Sequence, residues 1–271
     1  MERIRQLNNL CGIDVGCTNI KMTAIVNNQV VQKTVPSGDD CTKHTLVKEI
    51  SDFYASLNYQ LDGLGIALSG CTIDGQNVCL TSLRCLNDLS ISDFAHLDCK
   101  KINLINDANA VCLAGLLEYP SSKVLVAITN GTGIGAGIAI NGRLFTGAYG
   151  FAGEIFGIPT VNNVDNQVTK IGRICSGSKI LKKIQLNTHS YDETIMDAAN
   201  YLGITIVSLI QILNPDTIYL AGGGFKFENF LSYVKEFVKN NSYPYFLDGL
   251  HITETSFSLY AGCFGAMKSL L

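Results

Sequence analysis

The apolar positions along this chain change period several times, and each change marks an element. Residues 10–15 form a short apolar run closed by Gly16, and apolar runs follow at 20–26 and 30–35, with Asn27-Asn28 between them. Short apolar runs separated by tight polar turns predict three consecutive strands. From Leu46 the spacing becomes helical, with Leu46, Val47, Ile50, Phe53, Tyr54 and Leu57 on one face. Residues 64–68, ending at Ser69-Gly70, and residues 101–105, running into Asn106-Asp107, predict two further strands. The second leads into a helix over 108–118 with Asp107 as its N-cap.

Beyond Pro120 the order starts again. A strand over 124–128, the turn Asn130-Gly131-Thr132-Gly133, a strand over 134–140, the type I′ signal Asn141-Gly142 and a strand over 143–146 repeat the arrangement of residues 10–35. A long helix follows, with Ile195, Ala199, Leu202, Ile206, Leu209 and Leu213 on one face and Asn214-Pro215 as its stop. A strand over 217–220 then leads through Gly222-Gly223-Gly224 into another helix from about 228. The recurrence predicts two related α/β halves facing one another.

Composition narrows the classes. With 271 residues, 47% of them hydrophobic, the chain can bury one large or two medium cores, which excludes small scaffolds and disordered proteins. Twenty Lys+Arg against 23 Asp+Glu give a net charge of −3, and no basic run exceeds Lys182-Lys183, so no nucleic-acid partner is expected. The ten cysteines form no C-x-x-C, and most stand among apolar residues, as in Val111-Cys112-Leu113. They read as buried, reduced thiols in a reducing compartment. Residues 1–10 lack the apolar stretch of a signal peptide, and the most apolar segment, 201–213, is short of the ~18 residues that span a bilayer. A cytoplasmic protein with no membrane partner is expected.

Two turns carry candidate chemistry: Asp14-Val15-Gly16-Cys17-Thr18-Asn19 and Asn130-Gly131-Thr132-Gly133-Ile134-Gly135. Glycine lets backbone N–H groups approach a polyphosphate, and a threonine hydroxyl adds a donor without adding charge. Each turn alone is also an ordinary hairpin turn; together with Gly222-Gly223-Gly224 in a duplicated chain they favour a shared nucleotide cleft. No G-x-x-x-x-G-K-[ST] is present, and Gly131 to Gly135 precede a strand, so neither a P-loop nor a Rossmann site is expected. Asp107, flanked by Asn106 and Asn109, is placed to cap a helix and also to accept the proton of an acceptor hydroxyl in phosphoryl transfer.

These motifs, with Lys21 after Asp14-x-Gly16-x-Thr18, the segment from Asn141 to Ile155 and Asn214-Pro215, run in the order of the ROK family (repressors, ORFs, kinases), which the chain resembles over nearly its whole length. The resemblance implies an α/β, two-lobed actin-like ATPase (ribonuclease H-like) fold with duplicated βββαβα halves around a nucleotide cleft. It implies an N-terminal lobe over 1–109, with 259–271 packing back as a final helix, and a C-terminal lobe over 110–258. ATP and Mg²⁺ follow as cofactors, a homodimer as the assembly, and glucose or N-acetylmannosamine as the leading substrates. Asp107 would be the general base, and Gly70, Asn106 and Glu154 would meet the sugar together with Asp107. Asp14 would hold Mg²⁺ through water, Gly16, Thr18, Asn19, Gly131, Thr132 and Gly133 would surround the phosphates, and Gly222 and Gly223 would lie against the adenosine. Lys21 is either a surface charge or a phosphate contact.

The chain departs from the family where zinc-containing members carry G-E-x-G-H and a C-x-C-G-x-x-G-C loop. Here Gly153-Glu154-Ile155-Phe156-Gly157-Ile158-Pro159 lacks the histidine, and Cys175 alone follows, so no structural zinc is expected. Phe156, Ile158 and Pro159 would supply the packing that a metal supplies elsewhere, and Glu154, charged beside Phe151, Ile155 and Phe156, would need a partner. Ser82-Leu83-Arg84-Cys85-Leu86 stands where many family kinases have an N-L-x-G-W-type sugar contact. A rival expectation is a non-catalytic, sugar-responsive protein acting through protein partners. Family repressors carry an N-terminal helix-turn-helix, whereas the phosphate motif here begins at Asp14, so DNA binding is not expected.

Overall fold

The computed structural model describes every residue except Met1, Asp39, Ser82, Val164 and Thr188, and not the side chains of Glu2, Arg3 and Ile73. Ser82, the first residue of the segment noted above, therefore lies outside the described residues. The first three apolar runs form β1 (Leu10–Val15), β2 (Asn19–Val26) and β3 (Gln29–Pro36). Asn27 and Asn28, both at positive φ, make the two-residue turn that a tight hairpin demands. Helix α1 (Lys43–Ser56) starts at Thr42, whose side chain accepts the Thr45 N–H, and buries Leu46, Ile50, Phe53 and Tyr54. β4 (Gly63–Leu68), the hairpin β5 (Gly70–Ile73) with β6 (Asn77–Thr81), β7 (Ile102–Asn106) and α2 (Asp107–Glu118) follow. The main sheet runs β3-β2-β1-β4-β7, antiparallel up to β1 and parallel beyond it.

One local expectation is corrected. The N-cap of α2 is Asn106, whose Oδ1 accepts the Asn109 N–H at 3.0 Å; Asp107 is the first helical residue. β7 runs one residue further than expected, with Asn106 paired to Leu68, so the change from extended to helical backbone falls between 106 and 107. Asn caps a helix as well as Asp does.

The second half repeats the sheet. β8 (Val124–Asn130), β9 (Ile134–Ile140) and β10 (Arg143–Leu144) are antiparallel. β10 is two residues long rather than four. The hairpin β11 (Pro159–Val161) with β12 (Val168–Lys170), the short α3 (Gly172–Cys175), α4 (Gly177–Leu186) and α5 (Tyr191–Leu213) precede β13 (Thr217–Ala221). α6 (Phe230–Asn241), α7 (Pro244–Leu247) and β14 (His251–Glu254) complete this part. The sheet order β10-β9-β8-β13-β14 matches that of the first sheet strand for strand and direction for direction.

α5 is longer than the apolar segment 201–213 suggested. A capping box, in which the Ser190 hydroxyl accepts the Glu193 N–H and the Glu193 carboxylate accepts the Ser190 N–H, starts it ten residues earlier. With 23 residues it is long and apolar enough to cross a membrane by length and composition, which corrects the expectation of a short segment. Ile195, Ala199, Leu202 and Ile206 are buried in one core with Val126, Ile128, Ile218 and Leu220, and Leu209 and Leu213 pack against it.

The last helix, α8 (Ala261–Lys268), belongs with the first sheet, in a separate core from that of the second. It lies directly on β1, β4 and α2 because the contacts are glycines: a Cβ at Gly12 would overlap the Cys263 carbonyl, one at Gly65 the Ala266 carbonyl, and one at Gly265 the Ala110 carbonyl. Gly12 and Gly65 are register partners, so the two strands open one shallow seat for the helix. The compact units are Met1–Pro120 with Thr146–Phe151 and Ser256–Leu271, and Ser121–Phe145 with Ala152–Thr255. The sequence-based boundary at 109/110 would cut α2, which packs within the first unit.

Candidate active site

In the first unit, β1 ends on Asp14 and Val15, and the chain turns at Gly16, whose N–H donates to the Asn19 carbonyl at 3.0 Å. Ser37 secures the outer side of the turn, its Oγ donating to the Gly16 carbonyl and its N–H to the Thr18 carbonyl, and Thr18 is exposed. Occupying these carbonyls leaves an anion fewer lone pairs to repel it. Asp14 pairs across the strands with Lys21, whose Nζ lies 2.8 Å from Asp14 Oδ2, both side chains being largely shielded. Burial alone would lower the Lys21 pKa. The charge and hydrogen bond of Asp14, with weaker contributions from Cys263 and Asp107, outweigh it and hold the ammonium above the ordinary lysine value. Lys21 is therefore no isolated surface charge; it sits in the field of both candidate carboxylates.

Asp107 is half-buried at the first position of α2, and its Oδ1 accepts the Ala108 N–H at 2.8 Å. At the helix N-terminus this carboxylate faces the positive end of the α2 dipole. Asn106 is tied at both ends of its amide: Oδ1 caps α2, and Nδ2 donates to the Gly70 carbonyl at 3.1 Å. Gly70 itself leaves no room for a side chain, since a Cβ would strike the Leu80 carbonyl. Asp14, Lys21 and Asp107 thus form one electrostatic group in this unit, and Gly70 and Asn106 a linked pair beside Asp107.

The second unit builds its site on Asn130, a fully buried residue that the sequence analysis quoted only as the start of a turn. Its Nδ2 donates to the Cys175 carbonyl at 3.1 Å, and its Oδ1 accepts the Gly177 N–H at 2.7 Å, which locks the start of α4 onto the end of β8. Gly222, at φ +116°, presses on the Asn130 backbone, and a Cβ at Gly224 would come within 2.6 Å of the Asn130 side chain. Ser178 then takes the carbonyls of the turn, its N–H donating to Gly131 at 3.1 Å and its Oγ to Thr132 at 2.6 Å. Turn 131–133 and segment 222–224 are therefore brought together by one buried amide. A polar residue closing the apolar strand 124–129 was the signal for it.

Gly131, Gly133 and Gly223 differ from the glycines around them. A Cβ at any of the three would meet nothing within 4 Å, and none has a positive φ. Neither packing nor backbone conformation asks for glycine here, so what these positions provide is room against the bare backbone. Thr132, between two of them, is exposed.

Glu154 follows a different course from the one expected. It is exposed, so it needs no partner from the core, while Ile155 is buried and Phe156 packs half-buried against Gly172, where a Cβ would overlap its ring. Ile158 is 38% exposed and Pro159 is exposed, so of the three apolar residues expected to form a wall Phe156 alone packs inward. The β11–β12 hairpin is secured by Tyr201 instead, whose hydroxyl donates to the Val161 carbonyl at 2.8 Å and accepts the Asn163 N–H at 2.9 Å. Cys175 is buried, and desolvation pushes its thiol up to about 12, so it is held neutral. Among the described residues no three His, Cys, Asp or Glu side chains come together as a metal cage would require.

The sequence model of the ROK family matches residues 10–168 and 162–270, nearly the whole chain. The chain belongs to the ROK family. It is 29% identical to a xylose repressor of Staphylococcus xylosus over 63% of the chain and 50% of that protein. It is 24% identical to a glucokinase of Halalkalibacterium halodurans over 94% of the chain and 92% of the glucokinase. The chain thus spans about half the length of the repressor and nearly all of the kinase. In structure it resembles a ROK family glucokinase from Streptomyces griseus, crystallised with glucose and AMPPNP, at a TM-score of 0.76 and 17% identity, covering 96% of this chain and 98% of that one. The α/β fold of two related halves expected from the sequence is the fold of this family.

Proposed function

We propose that this ROK protein is an ATP-dependent sugar kinase, cytoplasmic and dimeric, that transfers the γ-phosphoryl group to a hydroxyl of a hexose or N-acylhexosamine, with glucose and N-acetylmannosamine as leading substrates. The observation that carries it is the set of glycines at 131, 133 and 223, which the fold does not need and an approaching nucleotide does, its phosphates at 131 and 133 and its adenosine at 223. Thr132 adds a hydroxyl donor, and in the first unit the Gly16–Asn19 turn with Thr18 is read as a phosphate turn of the same kind. Gly222 and Gly223 would lie against the adenosine.

Asp107 takes the proton of the acceptor hydroxyl, while Gly70, Asn106 and Glu154 orient the sugar. Asp14 could hold Mg²⁺ through water: its Oδ1 accepts no hydrogen bond from the described residues, and one carboxylate is a usual protein share of a magnesium site, the phosphates supplying the rest. Bound there, Mg²⁺ would neutralise charge on the phosphates. Zinc does not fit the segment 157–175, which offers one cysteine and no histidine, short of the tetrahedral S/N set of a structural zinc site; elemental analysis of the purified protein is expected to find none in stoichiometric amount.

The repressor relative supports a second reading, a sugar-responsive protein without catalysis. A coupled assay of ADP release across hexoses and hexosamines separates the two. A rate that depends on one sugar class supports the kinase; sugar binding by calorimetry without any ADP release supports the sensor.

A further inference from the structure

Asp14 is confined by two residues from different elements. Lys21 Nζ holds its Oδ2 at 2.8 Å across the β1–β2 pair, and Oδ1 receives no hydrogen bond from the described residues. The first turn of α8 closes on the same carboxylate: a Cβ built at Gly262 would stand 2.8 Å from Asp14 Cγ and 2.9 Å from Oδ2. Gly262 has no positive φ, and it is helical, where alanine would be the better residue. The three atoms nearest to its missing side chain all belong to Asp14, so the glycine is there to leave that carboxylate its place. Lys21 also acts on Asp107, so one cation serves two acidic groups that must coexist with an anionic phosphate donor.

We propose that Lys21 and Gly262 are positioning residues for phosphoryl transfer: Lys21 holds one oxygen of Asp14 and Gly262 leaves the carboxylate room, so that the other oxygen is presented in a fixed direction. Neither residue touches the reacting atoms; both act through Asp14. The inference rests on the kinase reading above, and it adds to that reading a reason for the lysine of the second strand and for a glycine near the end of the chain.

The test compares Lys21→Met, Lys21→Arg, Gly262→Ala, Asp14→Asn and the double variant Lys21→Met/Asp14→Asn in the full chain. Sugar-dependent kcat, both KM values, Tm, and calorimetric affinity for AMPPNP with and without Mg²⁺ are read for each. Lys21→Met and Gly262→Ala are expected to lower kcat by roughly tenfold or more with sugar KM within about twofold, because positioning is lost rather than binding. Lys21→Arg restores most of kcat. The Mg²⁺-dependent gain in AMPPNP affinity shrinks in both impaired variants, and Lys21→Met adds nothing once Asp14 is Asn, as for residues acting as a unit. An active wild type with unchanged kcat in Lys21→Met, additive losses in the double variant, or losses that follow Tm alone would overturn the inference. A wild type without ADP release on any sugar would overturn the kinase reading, and the inference with it, before any variant is compared.

Discussion

Between β1 and β2 the chain turns through residues 16–19, and between β8 and β9, at the same place in a sheet of the same order, it turns through residues 131–133. Around the first turn stand charges: Asp14, its partner Lys21, and Asp107 within the field of that lysine. Around the second stands Asn130, neutral and fully buried, with both ends of its amide satisfied. The two copies of the scaffold thus differ in charge at matching turns. Carboxylates suit proton transfer or a hydrated cation, whereas a polyanion is better met by neutral donors on a rigid frame. A carboxylate in the place of Asn130 would be a buried charge facing the Cys175 carbonyl, a cost of several kcal/mol that the hydrogen bond from the Gly177 N–H offsets only in part.

The sharpest way to break this comparison is to remove the proposed proton acceptor of the first unit. Asp107→Asn keeps an oxygen for the Ala108 N–H and a residue that suits the first turn of a helix, so Tm and nucleotide affinity should hold. Sugar-dependent kcat should fall by roughly 10²–10⁴, the usual weight of a general base. More than about a tenth of wild-type kcat, a barrier change under ~1.4 kcal/mol, would show that Asp107 is not the base.

The second unit should respond in stability instead. Asn130→Ala leaves the Gly177 N–H and the Cys175 carbonyl buried without their partner, and opens a void beside Gly224. Two orphaned backbone groups at about 1–3 kcal/mol each predict a loss of about 2–6 kcal/mol in urea unfolding. A loss under about 1 kcal/mol would mean that the turn and α4 are held together by something other than this amide. Thr132→Val comes next in size. The residue is exposed and its carbonyl bond to Ser178 is untouched, so the fold should not notice; KM for ATP should rise roughly ten- to hundredfold, as for a lost hydrogen bond to a charged group worth ~1.5–3 kcal/mol. An unchanged KM would place the triphosphate away from this turn.

How much of this was legible in the sequence follows from what kind of force fixes each part. The strands β1, β2, β4, β8 and β13 and the helices α1 and α5 announce themselves because the apolar period of each is set by burial in one of the two cores. The β5–β6 and β11–β12 hairpins do not, because Val161 and Val168 are exposed and their hairpin is secured by a distant hydroxyl, that of Tyr201. The glycine turns were visible as residue types, but the reason for each glycine was not: Gly12, Gly65 and Gly265 seat a helix, Gly224 fits against an amide, and Gly131 and Gly133 do neither. One expectation about charge does not hold. Glu154, charged beside apolar neighbours in sequence, was expected to need a partner, yet a 3-10 turn buries Ile155 and leaves Glu154 at the surface.

The smallest effect sharpens the contrast between the carboxylates of the two units. Asp216, before β13, receives hydrogen bonds from the Ser122 hydroxyl, from the Lys123 N–H at 2.6 Å, the Thr217 hydroxyl at 2.8 Å and the Val124 N–H at 3.3 Å, so it ties the start of β8 to β13. Burial acts to raise its pKa, but these donors outweigh it and hold the carboxyl below the ordinary aspartate value. A depressed folded-state pKa stabilises the native state above the unfolded value of ~3.9, and the contribution disappears as pH falls through the folded-state pKa. Asp216→Asn should therefore lower Tm slightly at pH 7, an effect of about 1 kcal/mol or less once solvent exposure is discounted. The gap to wild type should be flat above about pH 5 and close as the pH drops below ~4. Because this carboxylate holds strands rather than substrate, kcat should stay at the wild-type value at neutral pH. A Tm gap that widens in acid would reverse the sign and show that Asp216 is not stabilised as the anion.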